Sequence, residues 1–331
     1  MNVTLKDVAQ LAGVSRSAVS RTFTEGASVS EKTRLKVMRA AEQLGYHPNA
    51  LASGLTTGRT KLIGLISNNF HNPIFLEVFD LFTRGLQARG LRPLIINLSD
   101  ETDPAQSVRQ LRQYSVDGVL VASSTVATDF ARAFRDAGMP VVHTFGRCAE
   151  APPVHVVGID NVECGRMAAR ALLDRGYRRL AFLGGPESAT STQDRLRGFL
   201  EVAGGTSGAS ASHSFAETYS FDAGRVEMRR VLAEGAAEAY FCGDDVLSIG
   251  AMSGLQSAGL RIPEDVGLIG LNDMEMARWN NIDLTTLRQP LPEIIDASVE
   301  LVVSMLESPD SPPRSILFPA ELVERGTLRR A

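Results

Sequence analysis

The hydrophobic positions near the N-terminus recur at the spacing of two short amphipathic helices joined at a glycine. Thr4 followed by Asp7 resembles a capping box and predicts a helix that begins near Leu5. The residues expected on its buried face are Leu5, Val8, Ala9 and Ala12. Gly13 permits a tight corner, after which Ser15 can cap a second helix. The inward residues of this second helix are Ala18, Val19 and Thr22.

A third helix is expected between Ser30, as its cap, and Gly45, as its stop. Three such helices, with a glycine between the first two, are typical of a helix-turn-helix domain, whose second helix lies in the DNA major groove. Arginines on the second helix can form hydrogen bonds with guanine or with phosphate, and serines can contact bases or phosphate. The outward residues of the second helix are Arg16, Ser17, Ser20 and Arg21. The alternative is a helical hairpin inside an enzyme, which the glycine position, apolar pattern and exposed arginines together disfavour.

The charge distribution separates residues 1–60 from the rest of the chain. These residues hold eight basic and four acidic side chains, a net charge of +4. The whole chain of 331 residues carries −4, so the remaining residues carry −8. A basic head on an acidic body favours a polyanion such as DNA as the partner of the head alone.

After residue 60, short apolar segments alternate with segments of helical periodicity. Strands are predicted at 62–66, 93–98, 118–121, 140–144, 180–183, 239–242 and 266–271. Helices are predicted at 74–89, 104–113, 128–137, 165–175, around Arg195, at 223–233 and at 248–258. This alternation predicts an α/β body with two doubly wound parallel sheets and a ligand at the carboxyl ends of their strands. The segment 204–212, which is rich in small residues, is predicted to be a surface loop.

Several classes of protein are disfavoured by the sequence. Cys148, Cys164 and Cys242 are odd in number and far apart, which indicates neither a disulfide framework nor a zinc site. The N-terminus lacks the apolar segment of a signal peptide, and no run approaches 18 apolar residues, so we expect a cytoplasmic protein. Glycine-rich nucleotide motifs, the Gly-x-Ser-x-Gly elbow and His-Glu-x-x-His do not occur. We therefore expect no catalytic residues, no metal and no cofactor.

Over almost its full length the chain resembles the LacI-type (lactose-repressor-like) transcriptional regulators. The motifs that carry the resemblance lie at 4–21, 29–34, 44–49, 63–66, 72–75, 160–165, 195–199, 262–266 and 284–287. Their order and spacing are specific, although no single motif is decisive. The resemblance implies an N-terminal three-helix DNA-binding domain and a periplasmic-binding-protein-like effector domain of two subdomains.

With this resemblance we expect a DNA-binding domain over 1–47, a hinge helix and linker over 48–60, and an effector-binding and dimerisation domain over 61–331. The expected subdomains are about 61–159 plus 290–317, and about 162–287 plus 319–327. Gly54 departs from the family pattern and should weaken an isolated hinge helix by about 1 kcal/mol relative to alanine. A plain linker is the alternative for this segment.

The resemblance also implies which residues contact DNA. Arg16, Ser17 and Arg21 match positions in the major groove. The matches to positions that contact the DNA backbone are Thr4, Ser20, Ser30, Thr33, Tyr46 and Asn49. Leu55, with Ala52 beside it, matches the hinge leucine that enters the minor groove and partly unstacks a base step.

The implied effector site is formed by Asn72, Phe75, Asp160, Arg195, Tyr219, Asp244 and Asn272. Asp244 stands where the family usually has Asn, and Asn272 where it usually has Asp. The ligand can therefore be a sugar or polyol in another orientation, or a cationic or acidic compound. His71 could also reach the cleft, although a surface position is the more common one for such a histidine. Trp279 lies either near the cleft or on the surface.

The function that follows is that of a repressor that binds a pseudopalindromic operator as a homodimer and responds to a sugar, sugar acid or polyol. Whether the effector is an inducer or a corepressor stays open. A tetramer is disfavoured because residues 327–331 contain no heptad repeat that could form a tetramerising coiled coil. The alternative is a stand-alone solute-binding protein of the periplasmic type, which would need a signal peptide and have no use for a basic head.

Overall fold

The computed structural model describes residues 3–24, 26–47, 59–98, 103–309 and 311–330. The chain forms two compact units, residues 1–61 with 115–117, and residues 62–114 with 118–331. The first contains the helices α1 (Leu5–Ala12), α2 (Arg16–Thr22) and α3 (Glu31–Leu44).

The ends of the three helices follow the local signals in the sequence. The carboxylate of Asp7 accepts hydrogen bonds from Thr4 N at 2.8 Å and Thr4 Oγ1 at 2.7 Å, which confirms the predicted cap. Ser15 accepts a bond from Ala18 N and thereby caps α2. Gly13 follows α1 with a φ of 63°, a backbone conformation that glycine adopts without strain. The core between the helices consists of Val8, Ala9, Val19, Val37, Ala40 and Ala41.

The second unit alternates strands and helices. Its strands are β1 (Leu62–Ser67), β2 (Arg92–Asn97), β3 (Gly118–Ala122), β4 (Val141–Thr144), β5 (His155–Ile159), β6 (Arg179–Gly184), β7 (Ser210–Phe215), β8 (Ala239–Cys242), β9 (Gly267–Asn272), β10 (Thr286–Arg288), β11 (Ser315–Phe318) and β12 (Glu321–Val323). Its α-helices are α4 (Ile74–Ala88), α5 (Pro104–Gln113), α6 (Thr128–Asp136), α7 (Asn161–Asp174), α8 (Thr190–Gly204), α9 (Phe221–Glu234), α10 (Asp245–Ser257) and α11 (Leu291–Glu307). No helix in the described ranges is long and apolar enough to cross a membrane.

The strands form two six-stranded sheets. The first has the order β11-β5-β4-β3-β1-β2 and the second the order β12-β10-β9-β8-β6-β7. All pairings are parallel except that between β10 and β12. The central strands are buried along their length, as expected for sheets covered on both faces. The predicted α/β body with two doubly wound sheets is confirmed.

The predicted surface loop at 204–212 is confirmed only for 205–209, which form a largely exposed turn region. Helix α8 continues through Gly204, and β7 begins at Ser210 and pairs in parallel with β6 from Ser210 opposite Arg179 onward. This strand lies at the edge of the second sheet and is largely exposed. Its backbone hydrogen bonds to β6 hold it in place, and its sequence therefore lacks the apolar pattern of a buried strand. The strands β5, β10, β11 and β12 were also absent from the sequence-based prediction.

Helices α7 and α8 cross at two glycines. A Cβ atom at Gly165 of α7 would overlap the carbonyl oxygen of Arg195, and one at Gly198 of α8 would overlap that of Val162. The two backbones therefore approach more closely than any side chain at these positions would allow. This crossing fixes the position of Arg195 on α8 relative to the start of α7.

Candidate functional site

The outer face of α2 is basic and hydroxylic. Arg16, Ser17 and Arg21 are exposed, and Ser20 is half-buried. The Arg21 Nε atom lies 3.4 Å from Ser17 O, a long contact that leaves the guanidinium directed outward. Val19 and Thr22 on the opposite face are buried in the head. The helix therefore presents two guanidinium groups and a hydroxyl on one exposed surface.

The positions expected to contact the DNA backbone lie mostly at helix ends. Thr4 and Ser30 are the exposed N-cap residues of α1 and α3, and Ser30 Oγ donates to Thr33 Oγ1 at 2.9 Å. Tyr46 is half-buried, with its ring 5.9 Å from that of Phe23. Helix N-termini present free N–H groups and suit phosphate. Asn49, Ala52, Gly54 and Leu55, and most of the expected hinge, lie outside the described residues.

A polar cavity lies at the carboxyl ends of the strands of both sheets. Its lining consists of Asn69, Asn72, Ile74, Phe75, Val78, Ser124, Phe145, Ile159, Asn161, Arg195, Tyr219, Asp244, Asn272 and Gln289. Ligands in open α/β sheets bind at this edge, because the loops that follow parallel strands meet there. Six of the seven residues expected to bind an effector are brought together here.

The seventh, Asp160, is not part of the lining. Its side chain is exposed and accepts a hydrogen bond from Glu163 N at 3.0 Å, so that it caps α7 and places the next residue, Asn161, in the cavity. His71 and Trp279 are exposed and lie outside the lining. Phe221, an aromatic residue two positions after Tyr219, is also exposed and outside the lining.

The lining includes polar residues that the sequence analysis missed. Asn69 follows β1, Ser124 follows β3, Asn161 follows β5 and Gln289 follows β10. Each comes within two residues of a strand end, and this spacing could have found Asn69 and Ser124, because β1 and β3 were predicted from the sequence whereas β5 was not. Strand β10 has only three residues and gave no comparable signal.

Asp244 is the centre of a hydrogen-bond network. Its Oδ2 atom accepts from Asn72 Nδ2 and from Asn272 Nδ2, both at 2.8 Å, and its Oδ1 atom accepts from Val246 N at 2.8 Å. Asn272 Oδ1 in turn accepts from Gln289 Nε2 at 2.7 Å. Burial raises the pKa of the Asp244 carboxyl, opposed by these hydrogen bonds and by the charge of Arg195. The network joins a segment after β1 of the first sheet to one after β8 of the second.

Arg195 is the basic residue of the described lining, and it is almost fully buried. Its Nε atom donates to Asn161 Oδ1 at 2.8 Å, and its Nη1 atom donates to Gly243 O at 2.5 Å. These two anchors fix the plane of the guanidinium. Tyr219 is held in a similar way by a 2.7 Å hydrogen bond between its hydroxyl and that of Thr192, which leaves an aromatic surface in the lining.

Two further contacts join the first-sheet and second-sheet sides of the cavity. Arg147 Nη2 pairs with the carboxylate of Asp194 at 2.5 Å. Ser191 Oγ donates to Ser124 O at 3.1 Å. With the bond from Asn72 to Asp244, these contacts hold the cavity in a closed arrangement.

A second buried acid lies beside the cavity. Asp245 has no exposed surface, and its carboxylate accepts from Thr286 Oγ1 at 2.6 Å and from Met274 N at 2.8 Å. Burial raises the pKa of this carboxyl from 3.8 to about 7, and the hydrogen bond from Thr286 opposes the shift. Within the part of the chain that the structure describes, no group of three or more His, Cys, Asp or Glu residues is arranged to hold a metal ion.

The Asp245→Asn variant is expected to lose part of the pH dependence of stability. Between its unfolded pKa of 3.8 and its folded pKa of about 7, Asp245 keeps a proton that the unfolded chain releases, so the free energy of unfolding falls as pH rises. From about pH 5 to about pH 8 the wild type should therefore lose about 2 to 3 kcal/mol relative to the variant. Urea unfolding of both proteins at the two pH values measures this difference.

The comparison with the variant is necessary because His143 changes the free energy of unfolding with pH in the opposite direction. Burial lowers the pKa of this histidine from 6.5 to about 4, so its contribution to stability falls as the pH drops through that range. His143 is present in both proteins and cancels in the difference. Parallel stability curves for wild type and variant would contradict the assignment of the raised pKa to Asp245.

A three-helix head with an exposed basic second helix, in one chain with a two-sheet body and a polar cavity at its strand ends, defines a ligand-responsive DNA-binding regulator. Residues 4–49 match the family model described as bacterial regulatory proteins, lacI family, and residues 169–328 match that of a periplasmic binding protein-like domain. The transcriptional repressor PurR of Vibrio cholerae is 30% identical over 333 residues, with 98% of each chain covered. The chain belongs to the LacI family, as the resemblance predicted.

Other relatives and solved structures agree. The regulator DegA of Bacillus subtilis and the ribose operon repressor of Haemophilus influenzae are each 29% identical, with 98% of both chains covered. The Lac repressor dimer bound to operator and the anti-inducer ONPF has a TM-score of 0.88 at 25% identity, covering 99% of this chain and 100% of that one. The transcriptional regulator CelR in complex with cellobiose has a TM-score of 0.72 at 28% identity, covering 98% and 100%.

Proposed function

We propose that this protein is a transcriptional repressor that binds a pseudopalindromic operator as a homodimer and is controlled by a small-molecule effector in the polar cavity. The observation that carries the proposal is the presence, in one chain, of an exposed basic helix in a three-helix head and a closed polar cavity in the body. The effector acts through different affinities for two arrangements of the body, and its binding is therefore linked to operator affinity.

The relatives support both parts of the proposal. The Lac repressor structure contains a dimer on its operator, and CelR holds cellobiose. We infer a sugar, sugar acid or polyol as the effector class. A stand-alone solute-binding protein is disfavoured, because the similarity to repressors extends over 98% of the chain and includes the head. In this proposal the protein regulates transcription rather than catalysing a reaction, and it acts in the cytoplasm with its DNA.

The residues proposed for operator binding are Thr4, Arg16, Ser17, Ser20, Arg21, Ser30, Thr33, Tyr46, Asn49, Ala52 and Leu55. The residues proposed for effector binding are Asn69, Asn72, Phe75, Asn161, Arg195, Tyr219, Asp244, Asn272 and Gln289. Asp160 is proposed to act indirectly, through the position of Asn161. The proposed domains are 1–47, 48–60 and 61–331, with the two subdomain boundaries expected from the sequence.

The test combines DNA selection with ligand binding. Selection from a random double-stranded library should yield a site with two inverted half-sites. A thermal-shift panel of sugars, sugar acids, polyols and nucleosides should then find compounds that stabilise the protein, since a ligand at 100 times its dissociation constant stabilises by about 2.7 kcal/mol. Such compounds should change the affinity for the selected DNA. A library that yields no enriched site would reject the repressor proposal.

Arg195→Gln should abolish the response to any compound found in this way and leave operator affinity in the absence of ligand within about twofold of wild type, a change of about 0.4 kcal/mol. Arg197→Gln is the matched control, because Arg197 lies on the same helix with a largely exposed side chain that pairs with Asp194 outside the cavity. An unchanged response in the Arg195 variant would remove the cavity from the effector site.

A further inference from the structure

The two charged residues of the described cavity lining, Asp244 and Arg195, differ in how fully their hydrogen-bonding groups are paired with the protein. Asp244 accepts three hydrogen bonds from the protein, two of them on the same oxygen. Arg195 donates two, from Nε and Nη1, and its Nη2 atom has no hydrogen-bond partner among the described residues. The acid is therefore occupied by protein donors, whereas the base keeps N–H groups for a ligand.

The carboxylate of Asp244 also determines which way the neighbouring amides face. A carboxylate can only accept, so Asn72 and Asn272 must turn their Nδ2 atoms toward it. Asn272 Oδ1 then faces Gln289 Nε2, and Asn72 Oδ1 faces the backbone N of Ile74 at 3.3 Å. The oxygen of each asparagine thereby accepts one hydrogen bond from a protein donor.

Asn161 follows the same rule, because its Oδ1 atom accepts from Arg195 Nε, a group that can only donate. The oxygens of Asn72, Asn161 and Asn272 thus each accept a hydrogen bond from within the protein. Asn69 shows the complementary feature. Its Nδ2 atom is buried and has no hydrogen-bond partner in the described structure, although the residue lines the cavity. A buried donor without a partner is unfavourable unless a ligand supplies an acceptor.

We propose that the effector carries an anionic group, a carboxylate or a phosphate, that accepts hydrogen bonds from Arg195 and Asn69. This inference rests on the proposed function and specifies an anionic effector, such as a sugar acid or a sugar phosphate. Hydrogen bonds from an arginine to an anion are stronger than those between neutral groups, so the anionic group dominates recognition. Tyr219 supplies an aromatic surface beside it for the remainder of the ligand.

The first test uses small anions, so that the identity of the effector is not needed. The melting temperature is measured against increasing inorganic phosphate and, separately, sodium acetate, with ionic strength held constant by chloride. The wild type and Arg197→Gln should show a saturable rise with one of the two anions, which also distinguishes a phosphate from a carboxylate site. Arg195→Gln should lose this saturable part, and Asn69→Ala should require a concentration several times higher to reach it.

Phosphate also stabilises proteins without binding, through exclusion from their surface, and this effect rises without saturation in every variant. The difference between wild type and Arg195→Gln removes it. Identical curves for all four proteins with both anions would overturn the inference, as would a saturable rise that survives in Arg195→Gln.

The second test compares matched neutral and anionic compounds by calorimetry, with glucose against glucuronate, galactose against galacturonate, and ribose against ribose 5-phosphate. Among pairs that bind, the anionic member should bind at least about tenfold more tightly in the wild type, and Arg195→Gln should remove the preference. A neutral member that binds as tightly as its anionic partner would reject the inference.

The two proposals fail in different ways. A neutral sugar that binds best and changes operator affinity would leave the repressor function intact and overturn the anionic ligand class. A protein that selects no DNA site but retains the saturable, Arg195-dependent response to phosphate or acetate would reject the repressor function and support the anionic ligand class.

Discussion

Gly198→Ala is expected to destabilise the body by about 3 kcal/mol and to abolish the response to effector. The added Cβ would overlap the carbonyl oxygen of Val162, which belongs to the backbone of α7 and cannot rotate away. Helices α7 and α8 must therefore separate, at a cost typical of overpacked cores. Arg195 lies one turn earlier on α8 and is anchored to Asn161 at the start of α7, so the separation also breaks the 2.8 Å bond that fixes its guanidinium. Urea unfolding followed by circular dichroism measures the loss of stability.

Gly204→Ala is the matched control because Gly204 ends the same helix and a Cβ there would meet no atom within 4 Å. This variant should be between neutral and about 1 kcal/mol more stable, since alanine reduces the freedom of the unfolded chain. Both variants should keep the head folded, because the head has its own core. Equal stabilities for the two glycine variants would show that the α7–α8 crossing tolerates an added methyl group.

The head could be predicted from the sequence because its signals are local. Thr4 and Asp7 are three residues apart, and the carboxylate needs no other partner to begin α1. Gly13 and Ser15 set the turn and the next cap within a few positions of each other. The buried face of α1 was predicted slightly too wide, because Leu5 and Ala12 lie at the margin of the core and are only partly buried.

The cavity was less predictable because its contacts are not local. Asn72 and Asp244 are separated by 172 positions, and their hydrogen bond depends on how the two sheets are placed relative to each other. The periodicity of each segment fixes its own strand or helix but carries no information about that placement. The sequence also could not show that Asn69 Nδ2 would be buried without a partner, since this depends on the loops that follow several strands.

The exchange of acid and amide at positions 244 and 272 acquires a physical meaning in the structure. The sequence alone leaves the charge as a possible ligand contact. In the folded protein, Asp244 uses its charge to orient Asn72 and Asn272, and Asn272 continues the network to Gln289. The acid at 244 therefore organises the cavity. Arg195, which donates to the carbonyl of the neighbouring Gly243, provides the charged group that keeps N–H groups for a ligand.

The second large effect is expected on DNA. Arg16→Ala combined with Arg21→Ala should weaken binding to the selected operator by about 2 to 6 kcal/mol, because a bidentate arginine contact contributes about 1 to 3 kcal/mol. Both side chains are exposed on α2, and neither belongs to the core of the head, so folding should be retained. Fluorescence anisotropy with operator and with unrelated duplex DNA measures the two affinities, and circular dichroism checks the fold. Arg39→Ala on α3 removes one positive charge, half of the charge lost in the double variant, from an exposed position and is the control.

The salt dependence of the same variants separates the two roles that an arginine can have. If Arg16 and Arg21 contact base edges, the double variant should lose operator affinity, keep most of its non-specific affinity and show a relaxed base preference at the matching positions. If they contact phosphates, both affinities should fall together, and the slope of log affinity against log salt should decrease by about 2. Arg39→Ala should change neither the operator preference nor the slope by as much. A double variant that binds operator like the Arg39 control would exclude α2 as the recognition helix, because the basic groups exposed there would then contribute no more than a general positive charge.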